Sequence, residues 1–165
     1  MPFLFGKRAI QGRRRIMPTS QPAAKPKRVA IREDLFTTPL DDLNAVHLKG
    51  TQCKDCGEVF MGHATGCAHC GSENMKGIVL DDHGILYTYS VIQYPPPGDY
   101  KGPKDPFTPF VEGLVELPDG IRIVAPVLEC DPENAGINMR LKLKVYDFFK
   151  DEEGNDVVAF CYVPA

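Results

Sequence analysis

Residues 53–71 read CKDCGEVFMGHATGCAHCG, two Cys-x-x-Cys-Gly units that place Cys53, Cys56, Cys67 and Cys70 in pairs. For both sulfurs of a pair to reach one ion, the chain between them must curl tightly. Gly57 and Gly71, which follow the pairs, accept the positive φ of such a curl and let backbone amides point at the sulfurs. Two such knuckles supply four thiolates, the tetrahedral set of a structural Zn²⁺ site. The ten residues between the pairs leave room for a hairpin. Val59-Phe60-Met61 would form one arm of it and cover the site with apolar groups. Four thiolates fill the coordination shell, which argues for a structural ion over a catalytic one. Iron competes, because the same spacing serves a rubredoxin site for electron transfer. That site wants an aromatic shell, and Phe60 is the only aromatic residue in 49–76, so zinc is favoured. His63 and His69 read as surface groups, and a redox Cys-x-x-Cys would not need the second pair.

Beyond residue 77 the pattern is that of β-strands. Residues 84–94, GILYTYSVIQY, are β-branched and aromatic. Val111, Gly113, Val115 and Leu117 alternate with Glu112 and Glu116, and Ile121, Ile123, Ala125 and Val127 alternate in the next run. Between them Pro118-Asp119-Gly120 reads as a tight hairpin turn. A long strand over 139–149, a turn at 151–155 and a strand carrying Val158, Phe160 and Tyr162 complete the set. Five antiparallel strands in this length predict a small closed barrel of the OB type, with a β-sandwich as the alternative. The proline-rich stretch 95–109 is long for a barrel loop and points to a functional excursion.

Upstream, residues 33–48 carry Leu35, Leu40 and Leu43 around Thr38-Pro39. They predict a short helix, a break at the proline, and a second short helix from Asp41. The expected fold class is therefore mainly β: short N-terminal helices, a rubredoxin-like zinc ribbon, then a five-stranded OB-fold barrel. The expected divisions are a basic flexible arm at 1–32, the short helices at 33–48, the ribbon at 49–76 and the barrel at 77–165.

The net charge of −3 conceals an asymmetry. Residues 1–32 hold nine Lys or Arg and no acid, while the remainder holds ten against 22 acids. A basic arm on an acidic body suits an anionic ligand, a nucleic acid or an acidic partner; prolines at 18, 22 and 26 suit a solvated tail. No apolar run reaches the length of a membrane span, and the apolar and basic residues of the N-terminus run in the reverse of the secretory order. A cytoplasmic protein is expected, although an Arg-rich, acid-free start also suits an organelle presequence. Cys130 and Cys161, outside the paired motif, read as buried free thiols.

In the long strand, Leu141, Leu143 and Val145 face one way; Arg140, Lys142, Lys144, Tyr146 and Phe148 face the other. Such a stripe could bind single-stranded nucleic acid or a nucleotide-like cofactor, pack on a protein, or lie solvated. The acidic balance of the barrel weakens the nucleic-acid reading. Tyr87 and Tyr89 are expected in the core. No nucleophile elbow, glycine-rich phosphate loop or clustered His/carboxylate pair is present, and His83 beside Asp81-Asp82 reads as a turn.

The order of these motifs carries a resemblance: short helices, two Cys-x-x-Cys-Gly units, Gly84-Ile85-Leu86-Tyr87-Thr88-Tyr89-Ser90-Val91, a proline-rich loop, Pro109-Phe110-Val111, residues 115–122 (VELPDGIR) and Gly136-Ile137. Together they resemble the acyl-CoA-associated zinc-ribbon/OB-fold proteins, long catalogued as a domain of unknown function, over residues 33–165. The resemblance implies an accessory subunit that binds a thiolase-superfamily partner in a hetero-oligomer. The partner would carry the catalytic residues, and this chain would help hold CoA thioesters or maintain assembly. Length and the N-terminal arm are similar to the small subunit of the thiolase of anaerobic toluene (benzylsuccinate) degradation, which implies thiolytic cleavage of a β-keto acyl-CoA. CoA is anionic, so charge and loop position nominate Lys101, Lys104, Lys142 and Lys144 as its contacts, with Phe107 as an apolar contact.

Overall fold

The structure, a computed structural model, describes residues 27–165. The greater part of the expected basic arm, residues 1–26, lies outside the described residues. The arm's last stretch is a strand, β1 (Arg28–Ala30), which runs parallel to β9 (Asp156–Pro164). Arg28 anchors it with a two-point ion pair, Nε to Asp147 Oδ1 and Nη2 to Asp147 Oδ2, each 2.9 Å.

The short helices expected at 33–48 do not form. Among the described residues this region holds only one 3₁₀ turn, Leu43–Ala45, capped by Asp42, whose side chain accepts from the Asn44 amide at 3.1 Å. The reason lies in burial and pairing. Leu35 and Phe36 are both buried, and the backbone around them pairs across the fold with residues 47–49 in place of a helical ladder. The chain instead folds back on itself. Phe36 bridges to Leu48, Thr37 N donates to His47 O at 2.9 Å, and Lys49 N donates to Leu35 O at 2.8 Å.

Three strands follow as a small antiparallel sheet: β2 (Lys49–Cys53) at the centre, with β3 (Val59–Met61) and β4 (Met75–Val79) on either side. The expected Val59-Phe60-Met61 arm is β3. Thr51, buried between strands, donates from Oγ1 to Gly62 O at 2.6 Å and accepts from Ala64 N at 3.2 Å, so its hydroxyl is satisfied.

The barrel comprises β5 (His83–Ile92), β6 (Phe110–Glu116), β7 (Arg122–Val127), β8 (Arg140–Lys150) and β9. Pairings run β5-β6-β7-β9-β8 and return to β5, so the sheet closes. The expectation of wholly antiparallel strands fails at one seam. β7 and β9 meet in parallel at Val127 and Tyr162, and Leu128 N donates to Tyr162 O at 2.9 Å. That order, with one parallel seam, is the OB-type barrel and excludes an open sandwich.

Leu86, Val111, Val115, Val127, Leu141, Val158 and Tyr162 are fully buried and fill the interior. Gly113 is required there: a Cβ would lie 2.5 Å from Leu86 Cδ1 and 3.0 Å from Val127 Cγ2. Gly120 closes the β6–β7 hairpin at φ 85°. The core continues from the barrel into the segments on either side of the ribbon, through Leu35, Phe36, Val46 and Leu48 before it and Leu80 after it. The joint is fixed by Leu80 N donating to Leu48 O at 2.9 Å and by the His47 ring against both oxygens of Asp82 at 2.8 and 2.9 Å.

Two bulges interrupt the pairing of the barrel strands. One on β5, between Leu86 and Thr88, turns Tyr87 outward. Tyr87 is 44% exposed, not in the core, and the Arg122 guanidinium lies 3.5 Å from its ring centroid. Tyr89 is partly buried, and its hydroxyl donates to Ala135 O at 2.9 Å. The other bulge, on β8 between Asp147 and Phe149, leaves Tyr146 and Phe148 side by side as the expected stripe has them, ring centroids 5.9 Å apart. Cys161 is buried and Cys130 half-buried. Among the described residues no helix is long and apolar enough to cross a membrane.

Candidate metal centre and the cleft of the barrel

The two knuckles are near-repeats of one another. Gly57 N donates to Cys53 O at 3.0 Å, and Gly71 N donates to Cys67 O at 2.8 Å. Both glycines take a left-handed φ, 84° and 76°. A Cβ at either would meet nothing within 4 Å, so backbone conformation, and not space, demands glycine there. Cys53 N and Cys67 N then donate to Glu58 O and Ser72 O, at 2.9 and 2.8 Å, closing each turn.

These turns bring all four sulfurs within 4.8 Å of one another. Cys53 and Cys70 Sγ lie 3.6 Å apart, Cys56 and Cys67 Sγ 3.5 Å apart. A zinc–sulfur bond of about 2.3 Å sets tetrahedral sulfurs about 3.8 Å apart, so the set has the size of a tetrathiolate site. The separations are far too long for a disulfide bond, about 2.05 Å. The Cys53 thiol is pulled down to about 6, chiefly by the Cys56 backbone amide. At Cys56 the Glu58 amide pulls the same way, yet burial and the thiols of Cys67, Cys70 and Cys53 prevail and push it up to about 12. Four sulfurs this close cannot all ionise alone; a central cation removes the conflict. His63 and His69 are both exposed, as expected of groups outside the shell.

On the barrel, the proline-rich loop and the chain after β7 enclose a cleft of about 880 Å³. Tyr100, Phe110, Pro126, Tyr146 and Phe148 supply its apolar wall, and Glu129 and Asp131 its acidic edge. Of the five residues nominated for CoA, Lys101 lines this cleft, with Nζ 2.8 Å from Asp99 Oδ2 and 5.6 Å from the Phe149 ring centroid. Phe107 lies in an aromatic cluster with Tyr100 and Phe110, centroids 6.2 and 6.1 Å away. Lys144 is ion-paired to Glu129 of the cleft. Lys104 is exposed on the loop, and Lys142 is exposed and lines a separate hollow with Asp82 and Val163. The structure thus groups Lys101, Phe107 and Lys144 around the cleft and leaves Lys104 and Lys142 apart. The sequence reading missed Tyr100, Phe110, Pro126 and Glu129. They come from separated segments and share no spacing that could have joined them.

Several basic groups on and beside the barrel are neutralised by acids: Arg28 by Asp147, Arg122 by Glu116, Lys144 by Glu129 and Lys150 by Asp156. A track of phosphates would have to displace those partners.

A four-sulfur ribbon joined in one chain to a closed five-stranded barrel defines the class of protein. Residues 45–76 match the family described as "ChsH2, rubredoxin-like zinc ribbon domain", and residues 78–145 match "ChsH2, C-terminal OB-fold domain". The chain belongs to this ChsH2/DUF35 family of zinc-ribbon/OB-fold proteins. It is 30% identical over 116 residues to a DUF35 domain-containing scaffold protein of Methanocaldococcus jannaschii, covering 70% of this chain and 78% of that protein. It is 27% identical over 143 residues to the benzoylsuccinyl-CoA thiolase subunit BbsA of Thauera aromatica, covering 87% and 93%. Among solved structures it resembles the Ltp2-ChsH2(DUF35) aldolase, with a TM-score of 0.55 and 25% identity over 72% of this chain and 84% of that one.

Proposed function

We propose that this chain is a non-catalytic, zinc-containing subunit of a thiolase-type acyl-CoA enzyme complex. It acts in the cytoplasm, assists CoA-thioester binding and assembly, and leaves the chemistry to its partner. The observation that carries the reading is the alignment along 93% of the thiolase subunit BbsA, a relative that is itself one subunit of an enzyme. The finest form of the proposal is thiolytic cleavage of a β-keto acyl-CoA in aromatic degradation. The closed four-sulfur set supports the non-catalytic part, because a tetrathiolate ion has no position to offer a substrate. Cys53, Cys56, Cys67 and Cys70 hold the zinc, within a ribbon at 49–76 that precedes the barrel at 77–165. Lys101, Phe107 and Lys144 flank the cleft where the thioester would lie, and Lys104 and Lys142 are the outlying cations for its phosphates.

The test is co-expression with a thiolase-like catalytic subunit. A tagged chain is expected to retain the untagged catalytic subunit through size exclusion, with thiolysis present only in the complex. A chain that elutes alone, beside a partner whose activity ignores it, overturns the proposal. The purified protein is expected to be colourless and to give one zinc per chain on elemental analysis; a coloured iron protein overturns the zinc assignment.

A further inference from the structure

We infer that Asp55 is a positioning residue of the metal centre, clasping the two knuckles together so that the exposed sulfurs of Cys56 and Cys70 stay in place. The inference rests on the reading of the four cysteines as a metal site.

The inner and outer halves of the sulfur set are held differently. Cys53 and Cys67 are buried, whereas Cys56 and Cys70 are exposed and lack packing to fix them. Asp55 lies between the cysteines of the first knuckle, and Ser72 and Asn74 follow the second. Ser72 Oγ donates to Asp55 Oδ2 at 2.5 Å, and Asn74 Nδ2 donates to Asp55 Oδ1 at 2.9 Å. Each carboxylate oxygen therefore has its own partner across the site. The partners are themselves fixed: Asn74 N donates to Ser72 Oγ at 3.0 Å, and Lys54 N donates to Asn74 O at 2.9 Å. Ser72 O also accepts from the amide of the buried Cys67 at 2.8 Å, so the partner on the second knuckle is tied to the inner half of the set. Sulfurs aside, these are the side-chain hydrogen bonds that join the knuckles among the described residues.

Electrostatics alone would not select this residue. A carboxylate beside four thiolates adds negative charge to a site already crowded with it, so its benefit must be geometric. Hydrogen bonds to an ionised acceptor are short and strong, and outer partners of metal ligands govern how firmly the ion is held. This gives opposite expectations for Asp55→Asn. If charge dominated, removing it would tighten metal binding. If the clasp dominates, the asparagine still accepts from Asn74 and donates to the Ser72 hydroxyl, but through weaker, uncharged hydrogen bonds, and binding loosens less than in Asp55→Ala.

The experiment titrates Zn²⁺ on the full chain against a chromophoric chelator, for the natural protein and for Asp55→Ala, Asp55→Asn and Ser72→Ala. The expected result is a loss of affinity of about 10–100-fold for Asp55→Ala, with smaller losses for Asp55→Asn and Ser72→Ala. Co²⁺ spectra should remain tetrahedral, and zinc-saturated melting of the barrel should stay unchanged. Affinities of Asp55→Ala and Ser72→Ala within twofold of the natural protein overturn the clasp, as does tighter binding by Asp55→Asn. If Asp55→Ala does not fold, Ser72→Ala, which keeps the charge, decides alone. A natural protein that binds no zinc overturns the metal-site reading instead, so the two failures are distinguishable.

Discussion

The ribbon and the barrel are both β-structures in one chain, yet they are stabilised by opposite means. The ribbon has three short strands, few buried apolar side chains and one cluster of four sulfurs. The barrel has five long strands closed around valine, leucine and isoleucine, with one fully buried tyrosine, Tyr162. A small sheet cannot exclude enough water to hold itself, so it depends on an ion; a closed barrel can. The difference teaches where to expect specificity. The ribbon is a fixed shape that metal holds, and the barrel carries the cleft and the long proline-rich loop beside it.

Metal loss should give the largest effect. Cys67→Ser, or chelation, removes a contribution of about 10–16 kcal/mol in model peptides and should unfold residues 49–76. Limited proteolysis should cut within the ribbon while the amide signals of β5 to β9 persist. Loss of the barrel at the same chelator concentration would break the comparison and show the joint at Leu48, Leu80 and His47–Asp82 to be obligatory.

Leu141→Ala should do the reverse. Leu141 is fully buried in the barrel, and its truncation should cost about 2–5 kcal/mol. Denaturant titration should record this loss with the zinc content unchanged. A fall in zinc content would show that the two regions share one cooperative unit.

Alkali should also act on the barrel first. Burial pushes the Cys161 thiol and the Tyr146 hydroxyl up to about 12 each, from ordinary values of 9.0 and 10.0. Burial raises the Tyr162 hydroxyl as well. In the unfolded chain these groups would ionise first, so the folded state binds more protons above pH 9. Their contribution is complete below pH 9 and is lost progressively as pH rises toward 12. Thermal melts at stepped pH should show a falling midpoint in that window, with Cys161→Ala and Tyr146→Phe each flattening the fall.

Arg28→Ala should give the smallest effect. Its ion pair with Asp147 is exposed, and water screens such pairs so that they add little to stability. The melting midpoint should barely move; a large shift would mean that β1 is part of the barrel's foundation.

Much of this was legible in the sequence. The strands of the barrel could be read from alternation at Val111–Val115 and Ile123–Val127, because one face of each had to be apolar. The sulfur set could be read from spacing and glycine. Leu35, Leu40 and Leu43 suggest a helical stripe at 33–48 that does not form. Phe36 and Leu48, which pair across the fold, decide that region instead. The bulge that turns Tyr87 outward also left no local mark.

By itself, then, the sequence determined the four ligands and the strand-by-strand grammar, since both depend on neighbours a few residues apart. Only the tertiary structure decided the parallel seam of Val127 with Tyr162, the cleft walls, and the reach of Asp55 to Ser72 and Asn74. Those contacts join residues far apart along the chain. They are set by how sheets close and pack, which no local pattern encodes.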